Sequence, residues 1–202
     1  MGRPLMPHQR LAVDVLLEVQ SEAAGDPEPG EWAYDDGLVT WERRAGKTSI
    51  ITPVAAHRAR LVRRARMFMT AQTRDKARKR WMDVTDDLLS SPLRSDVRRK
   101  IGNMNEELRW PANSSVLEPF APNEDGLHSE TPDLVFVDEL WAFSAEQRRA
   151  IQAGYVPAFA TSSGQALKFS TAGTAASVWL NDARAAGRRA VAGGARLGVA
   201  FF

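Results

Sequence analysis

The spacing of hydrophobic and polar positions predicts strands and helices that alternate along the chain. Short apolar runs predict strands at 37–41, 66–71, 134–137, 166–170 and 197–202. Helical spacing predicts helices at 7–20, 48–64, 74–89, 145–153 and 175–191. Alternation of this kind favours a mainly parallel α/β sheet flanked by helices.

Two of the predicted helices carry an apolar stripe that indicates the face they bury. The first helix opens at Pro7, and its stripe consists of Leu11, Val15 and Val19. The stripe of the helix at 74–89 consists of Ala77, Trp81, Val84 and Leu88. Each stripe is expected to face the sheet or a neighbouring helix.

Residues 101–120 depart from this pattern. Polar and apolar residues alternate at 107–110, a turn signal follows at 111–113, and a second apolar pair lies at 116–117. We therefore expect an antiparallel hairpin added to the parallel sheet.

Composition is consistent with one large α/β domain. The chain has 202 residues, of which 44% are hydrophobic and 26% charged. No apolar run reaches eighteen residues and the amino terminus has no apolar signal core, so we expect neither a membrane span nor secretion. The chain has no cysteine, which excludes disulfides and thiolate metal sites.

The charge is unevenly distributed, although the net charge is only +2. Residues 58–80 contain a single acid, Asp75, and a block of Lys and Arg residues: Arg58, Arg60, Arg63, Arg64, Arg66, Arg74, Lys76, Arg78, Lys79 and Arg80. Such a block can attract a nucleic-acid backbone. The alternative is an ordinary solvated helix surface, and the sequence leaves both open.

The segment TWERRAGKTSI, residues 40–50, ends like a phosphate-binding loop between a strand and a helix. Gly46 would let the backbone approach phosphates, Lys47 would reach the β- and γ-oxygens, and Thr48 would hold Mg²⁺. The usual pattern requires a glycine five residues before Gly46, where this chain has Trp41. Taken alone, the segment could equally be an ordinary strand-to-helix turn.

Two further strand ends carry matching chemistry. The segment PDLVFVDEL ends a buried strand with Asp138 and Glu139, and KFSTAGT ends another strand with Ser170, Thr171 and Thr174. Ligands bind at the carboxyl ends of the strands in parallel α/β sheets. Chance explains the joint occurrence of the three segments less well than it explains any one of them.

Together these segments resemble the ATPase domain of the large terminase subunit of tailed bacteriophages, the motor that packages DNA into procapsids. The resemblance covers about residues 6–174 and is strongest at 43–48 and 134–139. It implies a P-loop NTPase fold of the ASCE/RecA-like class, with ATP and Mg²⁺ bound. The loop is then a terminase-type variant in which Arg43, four residues before Lys47, contributes an added cation near the phosphates. Arg44 is the alternative.

The resemblance also implies a role for each site residue. Glu139, Lys47 and Arg43 are the expected catalytic residues, with Glu139 as the general base. Thr48 and Asp138 are the expected Mg²⁺ ligands. Gln9, in the segment MPHQ, is expected to recognise adenine, although a polar residue in a first helical turn is the alternative. The expected nucleotide-binding set is Gln9, Arg43, Arg44, Ala45, Gly46, Lys47, Thr48, Ser49, Ser170, Thr171 and Thr174.

The expected partners are double-stranded DNA bound without sequence specificity, the portal and procapsid, the small terminase subunit and further copies in a ring. The expected location is the host cell cytoplasm. We expect one ATPase domain over 1–202, with a core at 1–174 and a C-terminal helix and strand at 175–202 as a candidate lid or linker. We expect no nuclease domain in the chain, and a monomer when the fragment is isolated.

The resemblance leaves one catalytic element without a candidate and two alternatives open. No Lys or Arg lies between Trp110 and Gln147, so an arginine finger just before Asp138 has no candidate there. The alternatives are one RecA-like lobe of a helicase or other DNA translocase, and a non-enzymatic DNA-binding module.

Overall fold

The computed structural model describes residues 4–102, 105–123, 126–127 and 130–202. In these residues eight strands form one sheet: β1 (Asp36–Thr40), β2 (Arg66–Thr70), β3 (Arg98–Lys100), β4 (Glu107–Trp110), β5 (Ser115–Pro119), β6 (Leu134–Val137), β7 (Gln165–Ser170) and β8 (Val199–Phe201). The helices are α1 (Pro7–Leu16), α2 (Lys47–Leu61), α3 (Arg74–Leu89), α4 (Ala145–Phe159) and α5 (Val178–Ala192). Short 3₁₀ turns occur at Glu22–Ala24, Pro92–Asp96 and Leu140–Ala142.

The order of the strands across the sheet is β3-β4-β5-β2-β6-β7-β1-β8. The strands from β5 to β8 in this order pair in parallel, and β4 pairs antiparallel with β5 and with β3. The expected mainly parallel sheet with an antiparallel hairpin is thereby confirmed. The carboxyl ends of β2, β6, β7 and β1 lie side by side at one edge of the sheet, which positions the site.

Helices cover both faces of the sheet because apolar residues alternate in direction along the strands. Phe136 of β6 joins a core with α1, α2 and α3, whereas its neighbours Val135 and Val137 join a core with α4 and α5. Each face of the sheet is therefore covered by its own layer of helices.

The stripe predicted for α3 is confirmed, since Ala77, Trp81, Val84 and Leu88 are all fully buried. The stripe predicted for the first helix is wrong for Leu11 and Val19, whereas Val15 is partly buried against the core.

Helix α1 buries Ala12, Val13 and Leu16, whereas Leu11 is 59% exposed and Val19 is 46% exposed. The chain leaves the helix at Leu17, and Val19 forms an isolated antiparallel bridge with Trp32 instead of continuing the stripe. Helix α1 packs against α2 with its other face.

The elements that differ from the sequence prediction include β3 and α4. Strand β3 was not predicted, and α4 continues past the expected end near residue 153, through Pro157, to Phe159. Residues 175–202 contribute α5 and β8, and β8 pairs in parallel with β1. The division of the chain into a core and a lid or linker stays a prediction. Among the described residues, none of the helices combines the length and the apolar content needed to cross a membrane.

Candidate functional site

Residues 41–46 form a loop that connects β1 to α2 at the carboxyl edge of the sheet. Gly46 lies directly before α2 in the left-handed conformation, with φ 78° and ψ 35°. The positive φ favours glycine, and a Cβ atom at this position would lie 2.1 Å from the side-chain nitrogen of Gln9, which would have to shift. The first N–H groups of α2 have no partner within the helix, and such a helix start is suited to an anion.

Lys47 extends back across the loop. Its Nζ donates to the carbonyl oxygens of Trp41 at 3.1 Å and Glu42 at 3.0 Å. Burial lowers the pKa of Lys47, whereas the carboxylates of Asp138 and Glu139 favour its charged form. The ammonium group therefore lies in the loop, close to the two acids that follow β6.

Asp138 and Glu139 line one cavity although they are consecutive residues. Strand β6 ends at Val137, and Glu139 adopts φ 60° and ψ 45°, which is uncommon for a residue other than glycine. This turn removes the alternation that would direct the two side chains to opposite faces. Asp138 is only 3% exposed, and burial raises its pKa while the charge of Arg80 opposes that rise.

Arg80 of α3 contacts both acids, although it is not among the site residues predicted from the sequence. Its Nε lies 3.0 Å from Asp138 Oδ2, and one terminal nitrogen lies 3.3 Å from Glu139 Oε1. The available signal was the spacing of Lys76, Lys79 and Arg80, at i, i+3 and i+4, which places three cations on one face of a helix.

The cavity has a volume of about 560 Å³ and lies between the loop, the start of α3 and residues 138–142. Six cationic side chains and two carboxylates line it. The cations are Arg43, Arg44, Lys47, Lys76, Lys79 and Arg80. Their excess over the acids suits a polyphosphate.

A second cavity, of about 610 Å³, lies at the amino ends of the strands. Its lining includes Glu28, Glu31 and Asp35 together with Trp32 and Phe159. The acidic lining makes this larger cavity unsuited to phosphate.

The residues that follow β7 are only partly brought into the first cavity. Thr171 lines it. Ser170 is buried, and its hydroxyl accepts from the backbone N–H of Trp141 at 3.2 Å, which links the end of β7 to the turn after Glu139. Thr174 is exposed and does not line the cavity.

Three further predicted residues, Gln9, Ala45 and Ser49, lie near the cavity without lining it. Ser49 is exposed on α2. Gln9 is buried against the loop, where its Nε2 donates to the carbonyl of Ala45 at 3.0 Å and its Oε1 accepts from the N–H of Met6 at 2.8 Å. Adenine recognition by Gln9 stays a prediction.

Thr48 and Asp138 line the same cavity and offer the hard oxygen donors that Mg²⁺ prefers. In the part of the chain that the structure describes, no cluster of three or more His, Asp or Glu side chains could hold a metal. A Mg²⁺ ion here would therefore need phosphate oxygens as well, which is how Mg²⁺ is usually held in nucleotide sites.

The Lys and Arg residues of the basic block at 58–80 lie in different environments: some are buried, some pair with acids and some are exposed. Arg58 is fully buried, where it donates to the carbonyl of Asp133 and to Gln165 Oε1 and stacks on Trp32. Several others pair with acids, as in Arg60–Asp96, Arg66–Glu118, Arg66–Glu130, Arg74–Glu106 and Arg78–Glu106. Arg63 and Arg64 at the end of α2, and Lys76 and Lys79 on α3, are exposed. The block is not one continuous basic surface.

Comparison with known proteins places these features in a family. The family described as "Terminase large subunit, ATPase domain" matches residues 33–177. No curated protein matches the sequence significantly.

Solved structures share the fold. The large terminase of bacteriophage HK97 has 17% identity and a TM-score of 0.71, over 100% of this chain and 40% of that chain. The ATPase domain of the Thermus phage P74-26 large terminase has 15% identity and a TM-score of 0.55, over 78% of this chain and 66% of that chain. The large terminase of a thermophilic bacteriophage in complex with ADP has 14% identity and a TM-score of 0.60, over 83% of this chain and 38% of that chain. The chain thus spans less than half the length of the HK97 protein and of the ADP-bound protein.

Proposed function

The chain belongs to the family of terminase large subunit ATPase domains, and on that premise we propose that it binds and hydrolyses ATP as the motor domain of a DNA-packaging terminase. One observation carries the proposal. The loop at 41–46, the start of α2, Asp138 and Glu139 meet at one cavity in which cations exceed acids. This arrangement suits a triphosphate better than any other described part of the molecule.

In this proposal the phosphates lie against Gly46 and the first N–H groups of α2. Lys47 exchanges its contacts with two loop carbonyls for phosphate oxygens, because charge-assisted bonds of that kind are stronger. Arg43 and Arg44 line the same cavity and add positive charge from the loop.

Thr48 and Asp138 would hold Mg²⁺, which when bound offsets negative charge on the phosphate oxygens. Glu139 acts as general base and takes a proton from the attacking water on its carboxylate. The indole N–H of Trp141 donates to Glu139 Oε2, so one oxygen of this carboxylate is already oriented by its own turn.

Coupling of hydrolysis to movement is proposed for the segment after β7. Thr171 lines the cavity, and Ser170 bonds the turn that carries Glu139, so a change at the phosphates can reach the end of β7 through short contacts. Thr174 follows in the same segment.

We propose that packaging is an activity of a whole terminase large subunit; this chain covers less than half of the large terminases of HK97 and of the ADP-bound structure. We propose that the protein moves double-stranded DNA into a procapsid in the host cytoplasm, as a ring that meets the portal and the small terminase subunit. Exposed cations such as Lys76 and Lys79 can contact a DNA backbone without reading sequence. The family match favours this function over a helicase lobe. The grouping of Lys47, Asp138 and Glu139 favours it over a DNA-binding module.

The proposal is tested by titrating a fluorescent ATP analogue with Mg²⁺ and by measuring ATP turnover. Lys47→Ala is expected to weaken binding by roughly 1.5–3 kcal/mol, or about 10- to 150-fold. Lys76→Ala is the matched control, because it removes the same charge from the same cavity. Its effect on binding is expected to be smaller than that of Lys47→Ala, since Lys76 donates to Gln72. Unchanged affinity in Lys47→Ala would remove Lys47 from the site, and absence of binding by the wild type would refute the proposal.

A further inference from the structure

The guanidinium group of Arg80 lies among three carboxylates. Nε is 3.0 Å from Asp138, one terminal nitrogen is 3.3 Å from Glu139, and the other is 3.5 Å from Asp83. Asp138 and Glu139 are the two acids assigned above to the metal and to the water. Asp83 lies on α3 itself, three residues after Arg80, and is more exposed than either of them.

Each acid of the pair has one oxygen held by its own turn and the other held by Arg80. Asp138 Oδ1 accepts the N–H of Glu139, and Oδ2 contacts Arg80. Glu139 Oε2 accepts the indole N–H of Trp141, and Oε1 contacts Arg80. The oxygens that the turn leaves available are therefore the two that the guanidinium covers.

A divalent cation and a guanidinium cannot both occupy the same side of a buried carboxylate, since two positive charges in contact repel each other. Asp83 gives Arg80 another acceptor within reach, so the guanidinium can leave Asp138 and remain paired on the exposed side of α3. Arg80 does not belong to the buried face of α3, which is formed by Trp81 and other residues, so a shift of its guanidinium leaves that packing in place.

We propose that Arg80 is a positioning residue that stays paired with Asp138 and Glu139 in the nucleotide-free protein. It must leave both acids when Mg²⁺ enters with the nucleotide, and we call this contact of Arg80 with the two acids the latch. The idea rests on the proposed function, because it requires a cavity that accepts a nucleotide with Mg²⁺. Mg²⁺ and the Arg80 guanidinium then compete for the two acids, so the Mg²⁺ concentration needed for nucleotide binding is higher than it would be without Arg80. The latch thus keeps the general base neutralised until the metal and nucleotide are both present.

The test measures the Mg²⁺ concentration that gives half-maximal binding of a fluorescent ATP analogue, without reference to turnover. Arg80→Gln removes the competing cation, so the half-saturating Mg²⁺ concentration is expected to fall roughly three- to tenfold. Lys79→Gln is the matched control. It removes the same charge from the lining of the same cavity at an exposed residue next to Arg80, and it is expected to lower the Mg²⁺ requirement clearly less than Arg80→Gln does.

Arg80→Lys separates charge from shape. It keeps the positive charge, but a compact ammonium cannot span both carboxylates as a planar guanidinium does. An intermediate fall in the Mg²⁺ requirement is therefore expected, and this conservative variant keeps the test decisive if Arg80→Gln folds poorly.

Three results would overturn the latch. An equal or higher Mg²⁺ requirement in Arg80→Gln and Arg80→Lys would overturn it while leaving nucleotide binding intact. An equal fall in Lys79→Gln and Arg80→Gln would reduce the effect to the net charge of the cavity. Failure of the wild type to bind the analogue at any Mg²⁺ concentration would overturn the proposed function together with the latch.

Discussion

The side-chain amide of Gln9 donates to the backbone carbonyl of Ala45 over 3.0 Å and thereby ties α1 to the loop before α2. The same nitrogen lies 2.1 Å from the place where a Cβ of residue 46 would be, so the glutamine side chain packs directly against Gly46. Gln9 Oε1 accepts the N–H of Met6, which leaves both polar groups of the amide engaged. The start of α1 therefore acts as a support for the loop.

This contact predicts that Gln9→Ala weakens nucleotide binding, and the base preference of the variant separates support of the loop from the predicted recognition of adenine. Loss of the support should lower the affinity for fluorescent ATP and GTP analogues by a similar factor, about 2- to 12-fold for roughly 0.5–1.5 kcal/mol. Gln20→Ala is the control, because Gln20 is also buried but bonds Trp32 and Glu28 away from the loop. A loss confined to the ATP analogue would show that Gln9 reads adenine.

Glu139→Gln is expected to bind ATP and turn it over very slowly. The substitution keeps the shape of the side chain and removes the base, and general-base catalysis contributes about 10²–10⁴-fold in rate. Binding of an ATP analogue and single-turnover hydrolysis measure the two effects separately. Asp138→Asn should instead weaken the Mg²⁺ dependence of binding. Glu42→Gln, which removes an exposed acid of the loop, is the control, and wild-type turnover in Glu139→Gln would place water activation elsewhere.

The sequence predicted the elements whose signals are local. Helix α3 has the predicted bounds because its apolar stripe is regular, and β6 has the predicted bounds because its four apolar residues lie between polar ones. The buried face of α1 could not be read from spacing, because the chain leaves the helix at Leu17 and pairs Val19 with Trp32. That contact depends on the position of residues distant in sequence.

The site was predicted where one segment carries its own chemistry. Lys47, Thr48, Asp138 and Glu139 line one cavity as expected from strand ends in a parallel sheet. Arg80 was missed because its partners are the two acids 58 and 59 residues further along the chain, and helical periodicity carries no information on such a contact.

Arg58→Leu should destabilise the fold, because Arg58 belongs to the structure and not to a DNA-binding surface. Its removal leaves the amide oxygen of Gln165 without this donor, whereas the carbonyl of Asp133 keeps the backbone N–H of Gln165, and a buried unsatisfied acceptor costs roughly 1–3 kcal/mol. We expect the free energy of unfolding in urea to fall by about 2 kcal/mol or more. Arg63→Leu, at an exposed residue of the same block, should change it little, and equal effects would contradict the assignment.

Glu106 predicts a pH-dependent part of the stability. Burial would raise the pKa of Glu106, but hydrogen bonds from Arg74 and Arg78 outweigh it and hold the pKa below its ordinary value. The unfolded chain then binds the proton more readily, so this contribution is complete above the ordinary pKa of about 4.3 and is lost as the pH falls through the folded value. Glu106→Gln should lower the free energy of unfolding at pH 7 by roughly 1.5–3 kcal/mol. The difference from the wild type should shrink on acidification, and a difference independent of pH would exclude this account.

Phosphoryl transfer needs a further cation beyond Mg²⁺ and Lys47, and such a cation can contribute roughly 10³–10⁵ in rate. Arg43 and Arg44 line the cavity, and Arg80 is held by acids. Arg148 of α4 donates to Asp182 and Gln152, whereas its neighbour Arg149 is exposed.

We therefore expect the isolated chain to be a monomer with feeble ATPase activity, and the specific activity of the full subunit to rise with protein concentration as it assembles. If Arg149 of one subunit supplies this cation to the phosphates in its neighbour's site, mixing Arg149→Ala with Glu139→Gln, each inactive alone, should restore part of the turnover. The Glu139→Gln subunit then supplies an intact Arg149 to a neighbour whose own Glu139 is intact. Mixing Arg43→Ala with Glu139→Gln is the control and should restore no turnover, because both residues serve the cavity of their own chain. A fast rate that stays flat at dilutions where only monomer exists would mean that one chain holds a complete site, and Arg43→Ala should then be the most damaging arginine substitution.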